Sequence, residues 1–249
     1  MASFFAGDYQ GAPFQQFDLT HLAALGVIAL GCLALGFCWR SPSLRARQAF
    51  RYGMAVLLVA VDVSWQVWCW AIGTWTVQTS LPLHLCTAMV YVSALMLVSK
   101  SYHVYEFGYF LGIGGAVQAL LTPDVGPYGF PHYGYFQFFI GHGATIAAAI
   151  YMTAVEGYRP RWQSLLRAAV GANLYVAAVG LLNLWLGSNY MFLMYKPNVP
   201  SLLDYLGPWP WYVLAAEPIG VAMFLLLYLP FAIRDRRAAR RLSHSASVG

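Results

Sequence analysis

Charged side chains are scarce in this sequence: they make up 9% of its 249 residues, whereas 60% of the residues are hydrophobic. The mean hydropathy is +0.58. A soluble domain carries roughly 25% charged residues, so this chain lacks the polar surface that such a domain needs. Backbone polar groups in lipid must pair internally, which permits helices or a closed barrel. Because the apolar runs are continuous and about twenty residues long, we predict an all-α fold, a polytopic transmembrane helical bundle.

Apolar runs of membrane-crossing length, within the ~17–25 residues that a span requires, predict about seven spans. They cover 19–39, 52–74, 81–99, 105–122, 135–155, 165–187 and 211–233. This divides the chain into an extracytoplasmic segment (1–18), a membrane domain (19–233) and a basic cytoplasmic tail (234–249). Residues 1–18 contain no Lys or Arg and so lack the basic region of a cleaved signal peptide. We therefore expect the first span to be retained.

Lys and Arg are almost absent from one side of the predicted bundle, where Lys196 stands alone. The other 13 of the 14 basic residues fall on the opposite side: Arg40, Arg45, Arg47, Arg51, Lys100, Arg159, Arg161, Arg167, Arg234, Arg236, Arg237, Arg240 and Arg241. The positive-inside rule then predicts an external N-terminus and a cytoplasmic C-terminus in a cell membrane. The net charge of +5 reflects this topology, so we expect the lipid bilayer as a partner and no nucleic acid.

Cysteine is also scarce, and Cys32, Cys38, Cys69 and Cys86 all lie inside or at the edge of predicted spans. Their spacing matches neither a metal site nor a secreted disulfide framework. A bridge between Cys69 and Cys86, both in the outer half of the membrane, stays open. We predict no cofactor and no bound metal.

Polar side chains within the spans concentrate in the outer halves. Such groups are costly in a membrane and indicate a functional site by default. Cys86 and His142 lie five and seven residues past the predicted outer ends of their spans, or ~8–10 Å deep at ~1.5 Å per residue. We therefore expect one outward-facing polar layer built by six helices. Its candidate members are Asp62, Gln66, His84, Cys86, Gln118, Asp124, Gln137, His142, Asn183 and Glu217, with His132 in a supporting role.

Structural roles compete with functional ones at several of these positions. Asn183 and Gln118 are typical of hydrogen bonds between membrane helices. Glu217 would cap the positive N-terminus of the last span. Asp62 is either a structural carboxylate or a proton-relay member, and His84 is as readily explained by packing as by catalysis. His142, between Gly141 and Gly143, favours function because small neighbours leave its ring approachable.

Several stretches of the sequence resemble the YwaF family of bacterial integral membrane proteins, over roughly residues 50–232. These are LPLHLC (81–86), GGAVQALLTPD (114–124), FPHYGYFQFFIGHG (130–143), NLWLGSNYMFLMYKP (183–197), SLLDYLGPWPWY (201–212) and the region of Glu217. That family is related to the eukaryotic transmembrane protein 164 family, described as lipid acyltransferases with a membrane Cys–His pair. Similar lipid hydrolases use a Thr–His pair.

The resemblance implies acyl transfer or acyl-ester hydrolysis on a membrane phospholipid or lysolipid. His142, in the GHG motif, matches the histidine of the family. Cys86 is the candidate nucleophile, although the cysteine of the relatives alternatively aligns at Leu83, and Thr87 is a further candidate. A buried thiol needs a neighbouring base, which His142 would supply. Oxyanion donors would come from His84, Gln118 or Gln137, and Asp62, Asp124 or Glu217 would orient an imidazole.

Two other functions stay open. A metal-dependent lipid hydrolase would draw ligands from His84, His132, His142 and Asp124, but the last span lacks the paired histidines of known seven-span zinc hydrolases. A lipid or small-solute binding or transport protein is the non-enzymatic alternative, although no repeat halves or broken helices support transport. The apolar loop 188–210 is predicted to fold back as a lid over the polar layer, since loops of this length are usually functional.

Overall fold

The computed structural model describes residues 4–37, 43–197 and 201–248. Within these ranges the chain is helical and contains no strand, which confirms the predicted all-α fold. The helices are α1 (Leu19–Phe37), α2 (Leu44–Ala71), α3 (Leu85–Ser99), α4 (Tyr102–Leu121), α5 (Tyr133–Ala154), α6 (Trp162–Leu186) and α7 (Trp211–Val248). Short 3₁₀ turns at Tyr190–Phe192 and Leu202–Leu206 lie in the connection between α6 and α7.

Five of the described helices are long and apolar enough to cross a membrane: α1, α2, α4, α6 and the Trp211–Arg240 part of α7. Helix α3 is apolar but has 15 residues, or ~22 Å at ~1.5 Å per residue. Helix α5 is long enough, at 22 residues, but it carries the polar side chains of Gln137 and His142. Of the two central helices, α3 is shorter and α5 is less apolar than the five helices named above. Both line the cavity described below.

Three described helices differ by several residues from the apolar runs predicted as spans. Helix α2 begins at Leu44 rather than 52, because the Ser43 hydroxyl caps it by accepting a hydrogen bond from the Ala46 N–H at 3.2 Å. Helix α3 begins at Leu85 rather than 81, because the backbone of the preceding residue, His84, is extended, with φ −64° and ψ 141°. Helix α7 runs on to Val248 through a tail rich in Ala and Arg, which favour helix. Cys38, Arg40 and the predicted end of the first span lie outside the described residues.

Helix α5 is the central element and packs against α1, α2, α3 and α4. The crossing of α4 over α3 and α5 is close because Gly108 and Gly112 bracket a π-helical turn there. A Cβ on Gly108 would lie 2.9 Å from the Met96 sulfur, and one on Gly112 would lie 3.3 Å from Thr145 Cγ2. Small residues at this spacing let membrane helices approach each other.

The two ends of the bundle differ in chemistry. At one end, Arg51 Nε donates to the Leu97 carbonyl at 2.7 Å, and Lys100 pairs with Glu156. At the other end, the N-terminal segment lies across α2 and α5. Its carbonyl groups at Phe4, Ala6 and Phe5 accept hydrogen bonds from the Tyr133 N–H, His132 Nε2 and Trp68 Nε1, respectively. We call these the basic end and the aromatic end.

Candidate functional site

A cavity of about 50 Å³ lies between α2, α3, α4 and α5, nearer the aromatic end. It is large enough for a water molecule, whose share of liquid volume is ~30 Å³. Five of the residues that the sequence singles out line it: Asp62, Cys86, Thr87, Gln137 and His142. The remaining lining residues include Thr145, Val61, Gly112, Ala116, Phe138 and Gly141. The nucleophile and the base expected from the sequence therefore share one small cavity.

His142 lies nine residues into α5, and its ring is fixed by its own helix. Nδ1 is 2.8 Å from the carbonyl oxygen of Phe138. Since a carbonyl only accepts, Nδ1 carries the proton and donates it. In a neutral imidazole this leaves Nε2 with a lone pair. The ring also packs on Phe138, with centroids 4.2 Å apart. His142 is thus held in the tautomer of a base that acts through Nε2.

Cys86 is the second residue of α3, and its thiol is free. Its Sγ faces α4, because a Cβ on Gly115 would lie 3.8 Å from it. Backbone N–H groups in the first turn of a helix have no acceptor within that helix. The partial positive charge at this terminus offsets part of the cost of forming a thiolate in these apolar surroundings. Cys69 is also free, so the structure does not contain the Cys69–Cys86 bridge that the sequence left open.

Asp62 reaches the cavity from α2 and is 5% exposed. The Tyr91 hydroxyl on α3 donates to its Oδ2 at 2.6 Å. Sequence reasoning missed Tyr91, because an apolar helix gives no signal of which tyrosine faces a carboxylate on its neighbour. Asp62 was expected to orient an imidazole, but the Phe138 carbonyl already holds His142 Nδ1. Asp62 therefore lines the cavity without orienting the ring of His142 through Nδ1.

Thr145 was also missed, although its position could have revealed it. It lies three residues after His142, and residues at that spacing share a helix face. Its hydroxyl donates to the Gly141 carbonyl at 2.9 Å, so its proton is committed to the backbone. Thr87, the alternative nucleophile, lines the cavity beside Cys86.

Two of the predicted histidines are fixed elsewhere by backbone groups. His132 Nδ1 accepts from the Gly134 N–H at 3.0 Å, and Nε2 lies 3.1 Å from the Ala6 carbonyl. Both nitrogens are therefore engaged, and burial lowers the pKa of His132. His84 Nδ1 accepts from the Met191 N–H at 3.2 Å, so it anchors the loop rather than lining the cavity.

Four further residues that we expected in a single polar layer do not line the cavity. Gln118, Asp124 and Glu217 are exposed. On α4, Gly112 and Ala116 face the cavity, and Gln118 lies ~200° around the helix from Ala116. Asn183 is buried but serves the loop, since its Oδ1 accepts from the Ser188 hydroxyl and the Tyr190 N–H, each at 2.8 Å. The sequence did not predict the direction of these side chains around their helices.

Metal ligands do not gather in the part of the chain that the structure describes: no three His, Cys, Asp or Glu side chains there could hold an ion together. The ligand set of the metal-dependent alternative is dispersed. His132 binds the N-terminal segment, His84 binds the loop at Met191, and Asp124 is exposed. His142 alone among the four lines the cavity.

The connection between α6 and α7 folds back over the start of α3, as predicted. Tyr190 is fully buried, where its hydroxyl accepts from the Leu81 N–H at 2.9 Å and donates to the Val77 carbonyl at 2.7 Å. The Tyr212 hydroxyl in α7 donates to the Phe192 carbonyl. The connection contacts the start of α3 but contributes no residue to the lining of the cavity. Residues 198–200 of the predicted lid lie outside the described ranges.

Apolar helices of membrane-crossing length around a buried polar cavity define a multi-pass α-helical membrane protein. The chain belongs to the TMEM164 family, whose model matches residues 16–228. This confirms the predicted relation to that family, while the closer YwaF resemblance stays a prediction. No curated protein and no solved structure matched the chain.

Proposed function

We propose that this chain is an integral membrane lipid-modifying enzyme that transfers or hydrolyses an acyl ester of a phospholipid. The observation that carries the proposal is the shared cavity of Cys86 and His142. These residues are 56 positions apart on different helices, and His142 is held in the tautomer of a base. A thiol and a neutral imidazole that line the same cavity supply the nucleophile and the base that nucleophilic catalysis requires.

In the first half of the proposed reaction, Nε2 of His142 takes the proton from Cys86 Sγ. The thiolate attacks the ester carbonyl carbon and forms an S–C bond. As the tetrahedral intermediate collapses, the C–O bond breaks and the imidazolium gives its proton to the departing alkoxide. The products are an acyl thioester on Cys86 and a lysolipid, and no cofactor takes part.

In the second half, His142 takes a proton from an acceptor, which is a lysolipid hydroxyl in transfer or water in hydrolysis. The acceptor oxygen attacks the thioester carbonyl, the S–C bond breaks, and the proton returns to the thiolate. Oxyanion stabilisation is assigned to the Gln137 amide and to the unpaired N–H groups in the first turn of α3. When ionised, Asp62 would favour the imidazolium through its negative charge.

The proposal includes the membrane arrangement expected from the sequence: seven spans, an external N-terminus and a cytoplasmic C-terminus in a cell membrane. The cavity would then lie in the outer leaflet, near the depth of glycerophospholipid ester bonds. A reporter fused after Ser243 should read cytoplasmic, and one inserted near Tyr128 should read external. The reverse pattern would overturn the orientation and move the site to the inner leaflet.

Lipid profiling tests the enzymatic proposal. Cells lacking the gene are complemented with the wild type, His142→Ala, Cys86→Ser or the control Cys69→Ser, which alters another buried cysteine outside the cavity. Wild type and Cys69→Ser should restore the lipid profile, and the cavity variants should not. An acyl thioester on Cys86, released by hydroxylamine, should be detectable by mass spectrometry. Full activity of Cys86→Ala with a dead His142→Ala would make Thr87 or water the nucleophile.

A lipid-binding protein is the second candidate, because one observation favours it. An apolar groove of about 710 Å³ runs between α1, α2 and α5. Its lining residues on α5 include Ile140, Gly143 and Ala147, which lie about 100–160° around the helix from His142, and the groove suits an acyl chain. If His142→Ala and Cys86→Ala both restore the lipid profile fully, the enzymatic proposal fails and lipid binding takes its place.

A further inference from the structure

A cavity of about 590 Å³ lies at the basic end, between the start of α4, the connection from α5 to α6, and α7. Aromatic side chains form much of its wall: Tyr102, Tyr158, Trp162 and Tyr228. Trp162 and Tyr228 face each other across α6 and α7, with ring centroids 6.1 Å apart. None of the residues lining this cavity also lines the one at Cys86 and His142.

The charges around this cavity cancel except at one residue. Arg159 pairs with Asp235. Glu156 pairs with Lys100 at 2.5 Å and accepts a hydrogen bond from the Tyr151 hydroxyl at 3.0 Å. No ion pair joins Arg161 to a carboxylate of the described residues; its guanidinium lies 5.5 Å from the ring centroid of Tyr102. Arg161 is exposed and leaves one positive charge at the cavity.

The backbone that carries Arg161 is well anchored. The Tyr102 hydroxyl donates to the Arg159 carbonyl at 2.8 Å, and the Arg161 N–H donates to the Ser164 hydroxyl at 2.9 Å. Helix α6 begins at the next residue, Trp162, so its positive end adds to the attraction for an anion. The position of the positive charge is therefore set before any ligand arrives.

We propose that this cavity binds the phosphate of an anionic phospholipid headgroup, recognised by Arg161. Trp162 and Tyr228 would contact the glycerol and the first carbons of the acyl chains. This site is separate from the proposed enzymatic reaction and does not depend on it.

A lipid fits the cavity better than soluble phosphate does, although both present the same anion. Trp and Tyr concentrate where a membrane protein meets the headgroup layer. Basic pockets between membrane helices bind anionic headgroups. Trp162 is 51% exposed beside the cavity, as a side chain in contact with lipid would be.

The test is native mass spectrometry of the purified full-length chain with added phosphatidylglycerol or phosphatidylcholine. Phosphatidylglycerol should bind more tightly, because its headgroup has a net negative charge, whereas the choline of phosphatidylcholine balances the charge of its phosphate. Arg161→Gln should weaken phosphatidylglycerol binding about fivefold, the effect of one basic residue at a membrane surface. Arg237→Gln removes the same charge from an exposed position of α7 outside the cavity, and it should change binding less than twofold. Arg161→Lys, which keeps the charge, should restore most of the binding.

Three results would overturn the proposal. Equal losses in Arg161→Gln and Arg237→Gln would show general attraction to a basic surface. Equal binding of the two lipids would remove the role of charge. Complete displacement of phosphatidylglycerol by millimolar inorganic phosphate or glycerol phosphate would identify a soluble anion as the ligand. Unchanged thermal unfolding of Arg161→Gln would show that its loss of binding is not a loss of fold.

Discussion

The regions around His132 and His142 both contain a histidine enclosed by protein near the same helix, yet the two rings are held differently. At His132, two backbone groups engage both ring nitrogens. At His142, one backbone carbonyl engages Nδ1, and the ring lines a polar cavity. The first arrangement joins the N-terminal segment to α5, whereas the second orients a base. A catalytic candidate is therefore distinguished from a structural histidine by a ring nitrogen that has no hydrogen bond to the backbone, and not by burial.

The largest expected effect is at His142 and Cys86. His142→Ala or Cys86→Ser should lower turnover by about 10²–10⁴, the usual contribution of a general base, because either change removes half of a nucleophile–base pair. The double variant should be scarcely worse than the single ones, since residues that act as a unit are strongly non-additive. Turnover of purified protein in lipid nanodiscs provides the measurement. Independent, multiplicative losses would contradict a direct pair.

Replacing Met191–Met194 by Gly and Ser should abolish activity while the protein still inserts. The backbone at Met191 and Phe192 adopts positive φ angles of 59° and 55° and supports the His84 contact that precedes Cys86. A flexible segment would lose this anchor. Membrane-fraction abundance and turnover are measured together. Full activity would show that the segment is a connector only.

A smaller effect is expected at Tyr91. Tyr91→Phe removes the hydrogen bond to Asp62 and leaves a buried carboxylate with one donor fewer, at a cost of about 1–3 kcal/mol. Both stability and turnover should fall, with turnover falling less than in His142→Ala. The matched control is Tyr175→Phe, since its hydroxyl donates to the Leu83 carbonyl outside the cavity. Equal effects of the two substitutions on turnover would show that the hydrogen bond to Asp62 has no specific role in the reaction.

At His132 the expected effect is on stability alone. Burial lowers the pKa of His132 in the folded protein, so the unfolded chain binds the proton more readily. Its stabilising contribution is complete above the unfolded pKa of ~6.5 and declines as pH falls below it. In His132→Ala, thermal unfolding should lose part of this dependence between about pH 7 and 5, and turnover per folded molecule should stay unchanged. A large fall in that turnover would give His132 a role in the reaction.

The sequence predicted what periodicity and charge placement determine, including the helical fold, the approximate helix positions and the location of Cys86 and His142 close to one end of the bundle. Composition did not predict which way each side chain points around its helix. Gln118 and Glu217, which we expected in the polar layer, therefore lie away from the cavity. The partners of His84 and His132 were equally hidden, because they are backbone groups of loops distant in sequence. The hydrogen bond from Tyr91 to Asp62 was not predicted either, because tertiary packing determines which side chain contacts Asp62.

The small volume of the Cys86–His142 cavity has a kinetic consequence. The cavity of about 50 Å³ is too small to hold a whole glycerol ester, so we expect the helices to separate before a substrate carbonyl reaches Sγ. The contact between α2 and α5 is tight, since a Cβ on Gly141 would lie 3.3 Å from Val61. Apparent substrate affinity is then the intrinsic affinity scaled by the fraction of molecules that are open. Bilayer thickness and fluidity, which alter helix separation, would therefore act on this protein as regulators of KM.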